Sequence, residues 1–243
     1  MTRPTGASEH GPRVWITRTT PGADRTAQAV RALGFDPVVA PLLEVRPLAR
    51  TGDYLSLDDV AALAFTSVNG LIFADLTPRR DWPVFAVGHR TAQAARDRGF
   101  TDVRSAGGDA EDLAALIARE WGARGLARGP GVLLVPGAVR PSADLAGLLA
   151  GRVPVRSMAV YETVETAVLT PADFDIVLVH SARAAEALTR RLAPGMAAGR
   201  IAVALSPQVA GPLEALGFAA LRIAARPDET SLLEALGNPR PAV

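Results

Sequence analysis

The sequence repeats itself at a spacing of 114–119 residues, and this repeat limits the possible folds more than any other feature. The segment "FAVGHRTAQAARDRGF" at 85–100 aligns with "VALSPQVAGPLEALGF" at 203–218, and the two Gly-Phe pairs lie 118 residues apart. Two further pairs of segments align in the same order: 62–76 with 175–192, and 14–45 with 132–163. Three matches in one order predict two units of similar structure.

Each copy alternates short apolar runs with amphipathic segments. The runs "GVLLV" and "DIVLV" show no polar–apolar alternation, which is typical of parallel strands buried on both faces. Glycine follows the predicted helices in "ALGF" and "DRGF", where it indicates a helix C-cap. We therefore predict an α/β fold with doubly wound parallel sheets in two lobes that face one cleft.

Composition excludes several classes of function. The chain has no cysteine and no lysine, which excludes disulfides, thiolate nucleophiles, Cys-bound zinc, Schiff-base chemistry and a Walker-type phosphate lysine. Its net charge is +1 with no basic block, so we expect no nucleic-acid partner. The polar start "MTRPTGASEHGPR" does not resemble a signal peptide, and no apolar run reaches about 18 residues. We expect a cytoplasmic protein without metal, cofactor or membrane contact.

The turns that follow the predicted strands carry most of the residues suited to chemistry. In open parallel sheets, ligands bind beyond the carboxyl ends of the strands, where helix N-termini accept anions. Six such turns share hydroxyl groups, arginine or glycine, and together they favour a polyanionic ligand. For any one of these hydroxyls taken alone, helix capping is the more common role. The candidate binding residues are Thr17, Arg18, Thr66, Ser67, Gly88, Thr91, Arg140, Ser181 and Ser206.

Short motifs spread from Val14 to Leu236 resemble the uroporphyrinogen-III synthase family. They are "TR", "GFDPVVAPLLEVRPL", "FTSVNG", "FAVGHRTAQAARDRGF", "VPVRSMAVYET" and "DIVLVHSARA". The resemblance implies two flavodoxin-like lobes joined by a two-stranded linker, with the chain crossing between lobes twice. The implied division is a disordered N-terminus at 1–12, one lobe at 13–43 plus 163–240, linker strands at 44–48 and 158–162, and the other lobe at 49–157.

The resemblance also implies a reaction. The family closes the linear tetrapyrrole hydroxymethylbilane into an asymmetric ring, inverting the last pyrrole and losing water, as a step of heme biosynthesis. The expected protein is a monomeric lyase that needs no cofactor and contacts the preceding pathway enzyme transiently. Thr66 and Ser67 match the family's Thr-Ser turn, Gly88 and Thr91 match its Gly-x-x-Thr-Ala turn, and Arg140 is chosen because arginine grips carboxylates.

Tyr161, one of only two tyrosines, is the candidate catalytic residue. It stands where the family has an apolar-Tyr-x-Thr pattern, and a phenol hydroxyl is protonated at neutral pH and can donate a hydrogen bond to departing hydroxide. The alternative role is packing of its ring in a linker. His89 and His180 lie in the same turns and are interpreted as incidental.

Departures from the family pattern leave other functions open. The second copy reads "LSPQVA" where the family keeps Gly-x-x-Thr-Ala, so Ser206 and Val209 replace its glycine and threonine. A catalytically inactive binding or regulatory protein of the same family is the main alternative. A periplasmic-binding-like receptor lacks support without a signal peptide. A receiver unit lacks support because the first strand ends in "TRTT" rather than in an acidic cluster, and flavin binding by a flavodoxin array would show as a yellow preparation.

Overall fold

The computed structural model describes residues 11–20, 22–48, 56–126 and 131–239. Residues 1–10 of the predicted disordered N-terminus lie outside this part of the chain. The strands are β1 (Arg13–Ile16), β2 (Asp36–Val39), β3 (Leu43–Pro47), β4 (Val60–Phe65), β5 (Val84–Ala86), β6 (Val103–Ser105), β7 (Val132–Ala138), β8 (Val155–Glu165), β9 (Ile176–Val179), β10 (Ile201–Ala204) and β11 (Ala220–Ile223). The α-helices are α1 (Gly22–Ala32), α2 (His89–Asp97), α3 (Ala110–Ala123), α4 (Leu145–Leu148), α5 (Ala182–Arg191), α6 (Pro207–Ala210) and α7 (Glu229–Glu234).

The contacts divide the chain into two compact units. One unit consists of Met1–Glu44 together with Val164–Val243, and we call it the split unit. The other consists of Val45–Thr163, and we call it the continuous unit. Strands β3 and β8, which contain residues 44–47 and 158–162 of the predicted linker, are hydrogen-bonded neighbours at one edge of the second sheet. Just after β3, Leu48 N donates to Val160 O at 3.0 Å.

Each unit is built on one sheet, and the two sheets have corresponding strand orders. The sheet of the split unit runs β11-β10-β9-β1-β2. The other sheet runs β6-β5-β4-β7-β8-β3 when it is read in the same direction. Strand pairing is parallel from β11 through β2 and from β6 through β8. The predicted α/β class with parallel sheets is confirmed.

The sheet of the split unit is buried on both faces, which explains the unbroken apolar runs of its strands. Val14 and Ile16 pack on one face with side chains of α1, whereas Trp15 packs on the other with side chains of α5. All four residues of β9 are buried. Because successive side chains of a strand point to opposite faces, a strand covered on both sides needs apolar residues at every position.

Glycine ends helices where the sequence predicted it. Gly99 follows α2 with φ +89°, and Gly217 ends the segment after α6 with φ +76°. These left-handed conformations cost glycine little because it has no Cβ. Within the described residues, no helix is both long and apolar enough to cross a membrane.

Two helical segments take a tighter form than the α-helix. Val68–Leu76 and Gly211–Leu216 are 3₁₀ helices rather than α-helices. In the second of these, Pro212 has no backbone N–H to continue the hydrogen bonding of α6. In the first, Gly70 approaches the neighbouring strand so closely that a Cβ would lie 2.5 Å from Pro136 O.

Candidate functional site

The strand-end turns of the split unit come together at the carboxyl edge of its sheet. Strands β10, β9 and β1 are neighbours, so Ser206, Ser181 and Thr17 follow adjacent strands. Thr17 is fully buried, and its hydroxyl donates to Leu178 O at 2.6 Å. This bond ties β1 to β9, so the Thr17 proton is already engaged within the sheet.

The two serines of this edge cap helices. Ser181 Oγ accepts from Ala184 N at 3.2 Å at the start of α5, and Ser206 Oγ accepts from Val209 N at 3.4 Å at the start of α6. A capping oxygen keeps its own proton and can still donate to a ligand. The hydrogen bonds within this unit show both serines acting as helix caps.

Arg18 is held by a carboxylate of its own unit. Its Nη1 contacts Glu229 Oε2 and donates to Thr26 Oγ1 at 3.2 Å, while the Thr26 hydroxyl donates to Glu229 Oε1. His180 Nε2 lies 3.5 Å from Glu229 Oε2. Arg18 also lies close to Gly22, where a Cβ would be 2.6 Å from Arg18 Nε and would push that side chain aside.

The cluster shifts the pKa values of both of its titratable members. Burial raises the pKa of Glu229, but contact with His180, the Thr26 hydrogen bond and the Arg18 charge outweigh burial and lower it to about 2. Burial lowers the pKa of His180, and the Arg18 charge acts in the same direction against the effect of Glu229. At neutral pH the cluster therefore contains a carboxylate, a guanidinium and a neutral imidazole.

At the corresponding edge of the continuous unit, fewer polar groups are engaged by other side chains of the protein. Thr66 and Ser67 follow β4, and Gly88 follows the adjacent strand β5 and precedes α2. Ser67 Oγ accepts from Asn69 N at 3.2 Å, but Gly88 supplies no side-chain cap to α2. Thr91, the third residue of α2, is 5% exposed. This edge therefore offers the N–H groups at the start of α2 and the Thr66 hydroxyl, which no carboxylate hydrogen bond within the described residues fills, whereas Thr91 is buried.

A small cavity of about 190 Å³ lies beside Thr66. Its walls come from the end of β7, the first half of β8 and the turn after β7, including Gly137, Ser157 and Asp144. Ligand cavities for whole drug-sized molecules usually span about 300–1,000 Å³, so this one suits a single substituent or ring of a larger ligand. A second cavity, of about 430 Å³, lies in the split unit at the opposite, amino ends of β9 and β10, with Asp175 and Ile201 in its walls.

Tyr161 lies on β8, just beyond the residues that line the smaller cavity. Gly137 pairs with Ala159 and Ala138 pairs with Tyr161, so Val160 is an extra residue that makes a β-bulge. Because of this bulge, Val160 and Tyr161 both join the same apolar cluster, although they are consecutive. The tyrosine is only 7% exposed, and its packing holds the ring in one position.

The structure groups the predicted residues by unit rather than in one set. Thr17, Arg18, Ser181 and Ser206 share the edge of the split unit, and Thr66, Ser67, Gly88 and Thr91 share the edge of the continuous unit. Arg140 lies exposed after β7, and His89 lies exposed at the start of α2. Their binding and catalytic roles remain predictions.

Sequence reasoning missed Thr26 and Glu229 and gave His180 no role. Residue type gave no signal for Glu229, because the corresponding start of α3 also carries carboxylates, at Asp109, Glu111 and Asp112. Among the described residues, no cluster of three or more histidine, aspartate or glutamate side chains could hold a metal ion.

Comparisons with known proteins match nearly the whole chain. A family model described as uroporphyrinogen-III synthase HemD matches residues 24–234. A mutant uroporphyrinogen III synthase from the extremely thermophilic bacterium Thermus thermophilus has 16% sequence identity and a TM-score of 0.51, covering 93% of this chain and 98% of that one. The wild-type enzyme in another crystal form has 16% identity and a TM-score of 0.39, covering 93% of this chain and 96% of that one. A further Thermus thermophilus uroporphyrinogen III synthase has 16% identity and a TM-score of 0.38, covering 94% of this chain and 99% of that one. No curated protein matches significantly.

Proposed function

The chain belongs to the uroporphyrinogen-III synthase family, as its motifs predicted, and from that premise we propose that it converts hydroxymethylbilane into uroporphyrinogen III. The observation that carries the proposal is the family match over residues 24–234. The proposed enzyme is a monomeric, cytoplasmic lyase of heme biosynthesis that needs no cofactor. A transient contact would deliver its reactive substrate from the enzyme that makes it.

The proposed reaction converts one linear bilane into one cyclic product and one molecule of water, so every atom is accounted for. The C–O bond of the hydroxymethyl group breaks, and hydroxide leaves as water after taking a proton, which gives an electrophilic azafulvene. The last pyrrole attacks this carbon through its own substituted position and forms a spiro intermediate. One bond of that intermediate then breaks, and the inverted ring recloses with loss of a proton. Conformational control is the larger task, because the free bilane closes spontaneously to the symmetric isomer.

Tyr161 is the proposed donor to the departing hydroxide. Its ring is fixed by the apolar cluster that contains Phe65, Phe73 and Leu134, so its hydroxyl is held in place without the cost of ordering a mobile side chain. The β-bulge at Val160 sets which way this side chain points. Packing and catalysis are thus compatible roles for one residue, since the ring provides the first and the hydroxyl the second.

The edge of the continuous unit is the proposed seat of substrate carboxylates. Gly88 leaves the N-terminus of α2 without a side-chain cap, and Thr66 borders the small cavity next to β8. A charge-assisted hydrogen bond to a carboxylate contributes about 1.5–3 kcal/mol, so a few of them can orient one pyrrole of a polyanion. The further proposed contacts are Ser67, Thr91, Arg140, Thr17, Arg18, Ser181 and Ser206.

Product analysis tests the proposal directly. Hydroxymethylbilane is generated in situ, the protein is added, the porphyrinogens are oxidised, and isomers III and I are separated by chromatography. We expect isomer III to dominate with the protein and isomer I to dominate without it. Isomer I alone, formed at the protein-free rate, would refute the synthase activity and favour the inactive binding protein of the same family.

A further inference from the structure

Three side chains of the split unit surround one carboxylate. The guanidinium of Arg18 contacts Oε2 of Glu229, and the hydroxyl of Thr26 donates to Oε1. The ring of His180 approaches Oε2 to 3.5 Å. Each oxygen therefore has a donor, and together these groups offer what any carboxylate requires when it leaves water.

The residues that hold the carboxylate are more deeply buried than the residue that supplies it. Thr26 is 1% exposed, and the side chains of His180 and Arg18 are 8% and 21% exposed. The Glu229 side chain is 39% exposed and belongs to the first turn of the six-residue helix α7. The carboxylate therefore enters a fixed pocket from its solvent side, and only a short helix and its preceding loop hold it there.

His180 retains hydrogen-bonding capacity within this pocket. Both of its ring nitrogens are buried, and neither makes a hydrogen bond within the part of the chain that the structure describes. Buried polar atoms normally have partners, so two unpaired nitrogens beside a carboxylate indicate that Glu229 fills the pocket imperfectly. A carboxylate on a less constrained chain could satisfy Nε2 as well as Arg18 and Thr26.

We propose that Arg18, Thr26 and His180 form a carboxylate-binding site that the protein fills with its own Glu229, and that a carboxylate of a ligand displaces this side chain. Glu229 is tethered, so it competes at a high effective concentration, and a single free carboxylate displaces it poorly. A ligand with several carboxylates, once it is bound through some of them at neighbouring groups, also presents the next carboxylate at a high effective concentration. That last step rests on the proposed polycarboxylate substrate.

Removal of the internal carboxylate tests whether the site is real. In Glu229→Ala the pocket is vacant, and sodium propionate should raise the melting temperature saturably above a sodium chloride control of equal ionic strength. We expect no such rise for the wild type at the same concentrations, nor for Glu229→Ala combined with Arg18→Gln. If propionate stabilises Glu229→Ala no more than it stabilises the wild type, the cluster is a structural ion pair and the proposal is wrong.

Imidazole NMR locates the bound propionate. The chain has three histidines, so variants at His10 and His89 assign the signals of His180. In Glu229→Ala, propionate should shift the His180 ring signals with the same midpoint as the thermal effect. A thermal effect without a shift at His180 would place the binding elsewhere and overturn the assignment.

A binding titration, which needs neither catalysis nor a shortened side chain, tests the displacement of Glu229 by a ligand. Uroporphyrin, a stable probe with eight carboxylates, is titrated by fluorescence into the wild type and into Glu229→Gln, which keeps the side chain's shape but loses its charge. We expect Glu229→Gln to bind several-fold more tightly, whereas equal or weaker binding would overturn displacement. Isomer analysis of the wild type is separate, so loss of the proposed activity is distinguishable from loss of this site.

Discussion

The two units present the same edge of the same kind of sheet, but they use it differently. In the split unit, Arg18 holds Glu229, Thr17 bonds to Leu178, and two serines cap helices. In the continuous unit, Gly88 leaves α2 uncapped, and Thr66 borders a cavity. By position in the repeat, His180 corresponds to Thr66 and Ser206 to Gly88. One edge is closed by its own side chains, whereas the other is open to a ligand.

This difference shows that strand order alone does not make a binding site. The parallel sheet brings its strand ends together in both units, but the side chains decide whether the helix N–H groups stay available. A serine at a helix start satisfies those groups, whereas a glycine leaves them for an anion. We therefore expect substrate contact mainly in the continuous unit, and the comparison predicts different outcomes for matched substitutions in the two units.

The largest expected effect is that of Tyr161→Phe. If its hydroxyl assists the departure of hydroxide, the rate of isomer III formation should fall about 100-fold, at the lower end of general acid catalysis. The ring is retained, so the melting temperature should change little. Tyr54→Phe, at the only other tyrosine, is the matched control and lies outside the described residues. Full activity in Tyr161→Phe would leave that residue with a packing role alone.

A smaller effect is expected for Thr66→Val and Thr91→Val. Each removes a hydroxyl and keeps the shape of the side chain, so KM for the bilane should rise about 10-fold through loss of one charge-assisted hydrogen bond. Thr189→Val in α5 is a matched control, because that hydroxyl donates to Glu186 O at 2.7 Å. An unchanged KM in both variants would remove the contrast between the two edges.

Ser181→Ala tests the closed edge. The lost cap of α5 should lower the free energy of unfolding by about 1 kcal/mol, measured by urea denaturation. Thr66 is not a helix cap, so Thr66→Val should leave that free energy nearly unchanged. A variant that kept full stability but bound the bilane poorly would show that Ser181 serves the ligand and that both edges are open.

The smallest effect is a pH dependence of stability that comes from Glu229. Its folded-state pKa of about 2 lies below its ordinary value of 4.5, so its ionised form stabilises the folded state above pH 4.5. That contribution is lost as pH falls from 4.5 towards 2. Because the side chain is 39% exposed, solvent screening limits the contribution to about 1 kcal/mol.

The comparison of wild type with Glu229→Gln isolates this contribution. The variant should be less stable at pH 6, and the two unfolding free energies should converge between pH 4.5 and 2. His180, whose pKa burial lowers, destabilises both proteins as pH falls below 6.5, because the unfolded chain then binds a proton that the folded state resists. A constant difference across the whole range would contradict the lowered pKa of Glu229.

The sequence predicted the elements that depend on local pattern. Unbroken apolar runs identified β7 and β9, and glycine identified the helix ends at Gly99 and Gly217, because burial on both faces and a left-handed C-cap restrict residue type directly. The 3₁₀ form of Val68–Leu76 was missed. In this segment Gly70 lies so close to Pro136 that a Cβ would be 2.5 Å from its carbonyl oxygen, and no local pattern encodes such a tertiary contact.

The site was less predictable, because capping and binding require the same residues. Ser67, Ser181 and Ser206 match either role by type and position, and only the side-chain geometry separates the two roles. Arg18 and Glu229 are 211 residues apart, so their pairing depends on where the loop after β11 places α7. The bulge at Val160, which directs Tyr161, arises from the register of β8 on β7 and leaves no sequence signal.

The interruption of the split unit has a consequence for synthesis. Strand β1 pairs with β9, so Trp15 cannot pair with Val177 until the whole continuous unit, which lies between them in the sequence, has been translated. At about 5–20 residues per second, that wait lasts roughly 10–30 s, and β1 and β2 carry unpaired edges and exposed apolar side chains during this time. Strands β1 and β2 can therefore complete their sheet only after β9 has been made, so we expect this part of the chain to be more prone to aggregation during synthesis than the continuous unit.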